Sequence, residues 1–210
     1  MGACCSARDR GLKDTLGNGD LPKVCGTLHV LNSKQDYRLT RILRIMLETR
    51  RKSLIVKETP ASELPEASLQ YHPILEYDGK ALSGEFAIAQ YVAYREHFYA
   101  AELDPVQLYY IESMVAEVKD LWELVAEGRE EGLIMLIPAL ERRLGPDGVH
   151  FVGQNTSLAD IYVYDFLKKC SLSSSFPPLP DRLHTFVHKL ESALKAQAAQ
   201  APLSPSPALP

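Results

Sequence analysis

Pro73-Ile74-Leu75-Glu76-Tyr77-Asp78-Gly79-Lys80-Ala81-Leu82, running on into Ala87-Ile88-Ala89-Gln90-Tyr91-Val92, decides how this chain is read. Two short apolar runs flank Asp78-Gly79, a dipeptide that accepts the positive dihedrals of a tight hairpin, so the stretch predicts two antiparallel strands. Phe86, Ile88, Ala89, Tyr91 and Val92 then follow a helical pattern, with Ser83 expected to cap it. Upstream, Val24 to Leu31 holds a strand core, and Tyr37 to Thr49 carries Leu39, Ile42, Leu43, Ile45, Met46 and Leu47 at helical spacing. Leu54 to Val56 is compatible with a second strand, followed by a polar, proline-punctuated stretch from Thr59 to Tyr71. The order is β-α-β, then β-β-α. Beyond Asp104 strand signals stop, and helices are expected over roughly 105–127, 130–145, 157–170 and 180–198.

Composition narrows the function classes. The 210 residues suit one compact body or two small domains, and 46% hydrophobic content is ample for a core. With 23 basic and 27 acidic residues the formal charge is −4, which argues against the broad positive field that nucleic-acid binding needs. Cys4, Cys5, Cys25 and Cys170 show neither CxxC spacing nor a paired Cys/His set, so zinc and a disulfide framework are not expected and the compartment reads as reducing. The six histidines are dispersed, and only His184 and His188 lie one helical turn apart, so no metal is expected. No segment reaches the roughly 18 apolar residues of a spanning helix, and the first 20 residues lack the apolar run of a secretory signal.

Membrane contact is expected from the first residues instead. Met1-Gly2-Ala3-Cys4-Cys5-Ser6 fits the pattern for myristoylation at Gly2, with Cys4 and Cys5 placed for palmitate. One myristoyl chain binds a bilayer only marginally and a second makes attachment stable, so the adjacent thiols would supply the second signal. Arg8, Arg10 and Lys13 add a weak basic supplement. The expected location is the cytoplasmic face of a membrane, and otherwise the cytosol. Residues 1–25 read as a flexible arm, and 197–210, ending in a proline-rich run from Ala201 to Pro210, as a disordered tail.

A βαβ-ββα unit followed by an all-helical half resembles the glutathione transferase family. Pro73 to Leu82 with Ala87 to Val92 is similar to the sigma-class, prostaglandin D synthase-like form of the unit. Phe151-Val152-Gly153-Gln154-Asn155-Thr156-Ser157-Leu158-Ala159-Asp160 resembles the family's buried helix start, where Ser157 and Asp160 have the spacing of a reciprocal cap. The resemblance covers residues 26 to about 195 and implies a thioredoxin-like domain over 26–98, an all-helical domain over 104–196, glutathione as co-substrate and a homodimer.

It also implies where chemistry would sit. The family activates a bound thiol, and a free thiol titrates near pH ~8.5, so a hydroxyl donor or helix terminus must stabilise the thiolate. The sigma-like tyrosine position falls on Val30, which cannot donate. Tyr37 and Ser33 are the alternatives, Tyr37 being equally readable as a helix-start anchor that packs its ring. Pro73 would be the family's cis proline, with His72 offering its backbone to glutathione. The γ-glutamyl carboxylate would meet Ser83 or the helix start at Gly84-Glu85, where Glu85 repels it unless the chain shifts to offer Ser83. Pro60 and Leu64 replace the expected Trp and Lys, leaving Lys57 or Arg41 to compensate. Trp122 reads as core packing or cleft lining, and Cys170 as buried packing. Two functions follow: a membrane-tethered transferase acting on a hydrophobic electrophile, or a non-catalytic module making protein contacts at a membrane. A cysteine-based reductase is disfavoured, because no cysteine lies at the start of the first helix.

Overall fold

The computed structural model describes residues 23–31, 37–60, 63, 73–99, 104–129, 131–172, 176 and 178–200. Gly2, Cys4, Cys5, Ser33, Leu64, His72 and residues 201–210 lie outside the described residues. The elements follow the expected order: β1 (Lys23–Val30), α1 (Arg38–Glu48), β2 (Lys52–Glu58), β3 (Ile74–Tyr77), β4 (Lys80–Ser83) and α2 (Glu85–Arg95), then α3 (Pro105–Ala126), α4 (Glu131–Arg143), α5 (Leu158–Ser171) and α6 (Asp181–Gln200). Lys23 to Cys25 belong to β1 and not to the arm, and α6 runs on through residues 197–200.

The four strands form one sheet in the order β2-β1-β3-β4. β1 and β2 are parallel, joined through α1, while β3 runs antiparallel to both β1 and β4. Asp78 (φ 50°) and Gly79 (φ 71°) both take positive dihedrals, the mirror-type turn the hairpin requires. Gly26 is dictated by crowding: a Cβ there would sit 2.6 Å from the Glu76 carbonyl oxygen on β3. Between the strands and α1 lie Leu28, Val30, Leu39, Ile42, Leu43 and Met46, all at most 1% exposed. Each such side chain contributes roughly 1.5–3 kcal/mol on burial.

Ser83 does not cap α2. It is the last residue of β4, opposite Ile74, and Gly84 is the N-cap at φ 88° with no side-chain cap bond. The backbone must turn sharply from strand to helix here, and a positive φ favours glycine. The helical half is centred on α5, which is buried all round from Leu158 to Leu167. Over that stretch the helix has no solvent side, and its two carboxylates, Asp160 and Asp165, are met by donors within the protein. Pro138 interrupts the hydrogen bonding of α4, but it lies on that helix's exposed side, where water can satisfy the carbonyl it frees.

Asp160 ties the start of α5 together. Its carboxylate accepts from the Ser157 amide (2.7 Å), the Ser157 hydroxyl (2.8 Å) and the Phe151 amide (2.7 Å), so the expected Ser157–Asp160 cap also fixes the preceding loop. Burial pushes its carboxyl up to about 6, against the pull of those three donors. The halves are joined by a backbone bond from Leu158 N–H to Phe98 C=O (3.2 Å) and by a bidentate pair from Arg41 to Asp165 (2.7 and 3.0 Å).

Candidate functional site

The starts of α1 and α2 converge with one side of α3 and with α5, enclosing a cavity of about 520 Å³. Arg38, Glu85, Phe86, Val115, Lys119 and Tyr162 supply its chemistry and apolar wall, and Gly84 and Ala87 complete the edge. Concave sites between domains with a few convergent polar groups are where ligands are held.

Gly84, Glu85, Phe86 and Ala87 all border this space, and the first intrahelical bond of α2 is Ile88 N–H to Gly84 C=O (2.9 Å). The amides of Glu85, Phe86 and Ala87 therefore have no acceptor within the helix, and the local dipole favours an anion. The chain supplies that anion itself. Glu85, at the first helical position, accepts from Arg38 Nε at 2.5 Å, with the Arg38 side chain 16% and the Glu85 side chain 35% exposed. The pair links the first turns of α1 and α2 across the cleft.

Two further groups complete the electrostatics. Tyr162 on α5 is 2% exposed, and its phenol is pushed up chiefly by burial and then by the Glu85 charge, with Arg38 opposing. It therefore remains protonated at neutral pH and can act as a donor. Lys119 is exposed on α3 and has no carboxylate within ion-pair distance among the described residues.

The residues expected from sequence fall in different places. Tyr37 is the N-cap of α1 (φ −72°, ψ 127°), makes no side-chain cap bond, and packs partly buried against the core without lining the cavity. Pro73 is buried immediately before β3. Ser83 ends β4 before Gly84, and of the described residues expected to contact the ligand, Gly84 and Glu85 border the cavity. Val30, at 0% exposure, is wholly part of the core. Arg41 is bound to Asp165 and lies over the Trp122 ring at 5.2 Å, so it braces the domain junction. Trp122 packs edge-on against Phe166 (5.5 Å), which is the core-packing reading, and Cys170 is buried. Lys57 lies on β2 opposite His29. The His184 and His188 rings meet edge to face at 4.6 Å, and the described residues include no cluster of three metal-ligating side chains.

Arg38, Lys119 and Tyr162 were not predicted. Arg38 adjoins Tyr37 and reads as one more charge on a basic helix, while Lys119 lies on α3 in the helical half, 81 positions further along the chain. Tyr162, two residues after Asp160, carried the clearer signal, being a phenol in the buried stretch of α5.

Comparison with solved structures identifies the fold. A glutathione S-transferase from Ascaris lumbricoides superposes with a TM-score of 0.61 at 20% identity, over 86% of this chain and 98% of that one. A prostaglandin synthase D of Nilaparvata lugens gives 0.60 at 16% identity, over 86% and 100%. Na-GST-3 of Necator americanus, described as monomeric, gives 0.56 at 23% identity, over 86% and 98%. The sequence itself matches no protein-family model and no curated protein. The chain has the glutathione transferase fold, a thioredoxin-like half followed by a helical half.

Proposed function

We propose that the interdomain cleft binds glutathione weakly and presents its thiolate to a hydrophobic electrophile, making this chain a divergent transferase. The observation that carries the reading is the convergence of the α2 first turn with Arg38, Lys119 and the Tyr162 hydroxyl on one cavity of about 520 Å³. A protonated phenol donates to a developing thiolate, and nearby cations lower a thiol's pKa. Loss of the thiol proton to water would free the sulfur pair to form a carbon–sulfur bond. On an activated alkene the displaced π pair would move to the activating group and take a proton from solvent. Val115 and Phe86 provide apolar surface for such a partner.

Calorimetric titration with glutathione is the first test. Heat of binding that disappears in Lys119→Ala supports the reading, and no binding at millimolar peptide overturns it. If binding occurs, Tyr162→Phe should slow conjugation of a chromogenic aryl halide about a hundredfold while changing binding little. Tyr37→Phe and, outside the described residues, Ser33→Ala serve as the competing donor tests.

A specific observation favours a second reading, in which the cleft is closed to peptide carboxylates and the fold serves protein contacts. Glu85 fills the anion position and Arg38 neutralises it, so the site is electrostatically complete without a ligand. Exposed Phe86 and Tyr94 on α2 and Val106, Tyr109 and Tyr110 on α3 offer apolar surface on helices tied by Gln90 to Glu112 (2.9 Å), which supports pairing with a second copy. In either reading we place the protein at the cytoplasmic face of a membrane, through myristate on Gly2 and palmitate on Cys4 or Cys5. Gly2→Ala should move it from the membrane to the soluble fraction of a cell lysate; a wild-type protein already soluble would refute the anchor.

A further inference from the structure

The sheet has two ends, and the cleft occupies one of them. Ser83, just before α2, stands across Ile74 from His29 near the end of β1, and the first turns of α1 and α2 meet there through Arg38 and Glu85. At the other end β1 and β2 begin side by side at Lys23 and Lys52, the β3–β4 hairpin turns at Asp78-Gly79, and α1 and α2 stop. α6 stops there too, since Arg51 donates to the Ala198 (2.7 Å) and Ala199 (2.8 Å) carbonyls. About 23 Å of β1 separates this pole from the cleft end.

Three helix C-termini gather at the pole, and their partial negative charge attracts cations. Among the described residues Lys23, Arg50, Arg51, Lys52, Lys80 and Arg95 supply them, against Glu48, Asp78 and Glu96. Four of these cations are engaged by the fold. Arg50 donates to the Glu96 carbonyl (3.0 Å), Lys52 to the buried Glu96 carboxylate (2.7 Å), Arg95 pairs with Asp78 (2.9 Å), and Arg51 holds α6. Lys23 and Lys80 are exposed and have no carboxylate within ion-pair distance among the described residues, Lys80 lying only over the Tyr91 ring at 5.6 Å. Glu76 stands one residue inward on β3, beside His29 (3.2 Å), and leaves the balance positive. The surplus is notable in a chain whose formal charge is −4.

The arm joins the body at this same pole, through Lys23, and brings Arg8, Arg10 and Lys13 to it. By chain length alone Gly2 lies within ~75 Å of Lys23, so an anchored arm keeps the pole near the bilayer and raises the effective concentration of lipid there. A tether limits distance and leaves orientation free. Cations on one pole supply the orientation, because an anionic leaflet attracts them within a Debye length.

We propose that this pole is a docking surface for an anionic bilayer, with Lys23 and Lys80 as its contacts and the cleft turned away from the lipid. The orientation rests on the anchored-arm reading for its tether alone, and the preference for anionic lipid belongs to the described face. The cleft then takes its substrate from the aqueous side.

The test uses the full chain, myristoylated at Gly2, sedimented with vesicles of phosphatidylcholine and of phosphatidylcholine containing roughly one-quarter phosphatidylserine. Phosphatidylserine should strengthen binding. Lys23→Gln and Lys80→Gln should each lower that gain about fivefold, the weight of one cation at an anionic surface, with little change on phosphatidylcholine. Lys189→Gln, on α6 beside Asp147, should leave the gain intact, and salt near 1 M, where the Debye length is about 3 Å, should erase it. Lysine acetylation read by mass spectrometry reports the orientation: Lys23 and Lys80 should be protected on phosphatidylserine vesicles, while Lys119 and Lys189 stay as reactive as in the free protein. Circular dichroism melts confirm the fold of each variant, and Lys23→Arg and Lys80→Arg should retain the gain. The anchor fails separately: a Gly2→Ala chain that binds both vesicles as well as the myristoylated one, with its lysine-dependent gain intact, removes the tether and keeps the docking face. No binding to either vesicle, equal binding to both, a gain that survives both lysine-to-glutamine changes, or protection of Lys119 in place of Lys23 and Lys80 would each overturn the proposal.

Discussion

Glu85→Gln isolates the electrostatic argument about the cleft. Glu85 sits at the first position of α2, and Arg38 Nε lies 2.5 Å from its carboxylate. A ligand carboxylate received by the same helix start would come to within about 5 Å of Glu85, where two like charges repel by roughly 3 kcal/mol at an effective dielectric near 20 and under 1 kcal/mol in water. The Glu85 side chain is 35% exposed, so the operative value lies between these limits, about 1–2 kcal/mol. Removing the charge also returns the helix dipole and Arg38 to the ligand, adding about 0.5 kcal/mol. The sum predicts glutathione affinity rising on the order of tenfold in Glu85→Gln, read by calorimetry. The variant loses a partly exposed ion pair and a favourable helix-start charge, so its own stability should drop by about 1 kcal/mol, or roughly 2–4 °C in Tm. The affinity gain should shrink in high salt. Unchanged or weaker binding in Glu85→Gln would show that Glu85 does not compete for the ligand position, and the reasoning about this helix start would fall.

Asp160 holds its proton to about pH 6 when folded but titrates near 3.8 when unfolded, so the folded chain binds more protons between those values. Stability is fully present below pH 3.8 and declines by up to about 3 kcal/mol as pH rises to 6 from this group alone; Asp160→Asn should abolish that slope in denaturant melts, while costing about 2 kcal/mol because its amide nitrogen faces donors. Arg41→Met removes the bidentate partner of a carboxylate whose side chain is 6% exposed and should destabilise by about 3 kcal/mol, most of it recovered when Asp165→Leu is added. Gly26→Ala would place a methyl group 2.6 Å from a backbone oxygen that cannot move without breaking the β1–β3 ladder, and should cost about 3 kcal/mol in urea unfolding. Burial raises the Cys25 thiol to about 11, so alkylation by iodoacetamide at pH 7 should be far slower than for an exposed thiol, and unfolding should release it.

The fold was legible because its signals are local. Asp78-Gly79 forces a particular turn, the spacing in Leu39 to Leu47 marks the buried side of α1, and Ser157 with Asp160 marks a helix start whose carboxylate also binds the Phe151 amide nine residues before Asp160. The Ser83 cap failed because a hydroxyl before an apolar run looks the same in sequence whether it ends a strand or begins a helix. The adjacent glycine was the better signal, since the strand-to-helix corner demanded a positive φ. Candidate site residues were less visible for a physical reason. Arg38 meets Glu85 across 47 positions and Tyr162 joins them from the second domain, so no spacing rule encodes their proximity. Arg41 shows the converse: a cation conspicuous in sequence is engaged by Asp165, 124 positions away.

The interactions that hold the halves together are separate from the chemistry of the cleft. Leu158 to Phe98, Arg41 to Asp165 and the Asp160 cap use none of Arg38, Glu85 or Lys119. Substitutions in the cleft can therefore accumulate at the modest cost of partly exposed pairs, while the domain junction resists change through desolvated charges whose partners cannot be removed singly. In the proposed function, whether the α2 amides receive an anion depends on the charge that Glu85, paired with Arg38, places beside them. That competition turns on the charge of one side chain, and it is open to measurement with the scaffold intact.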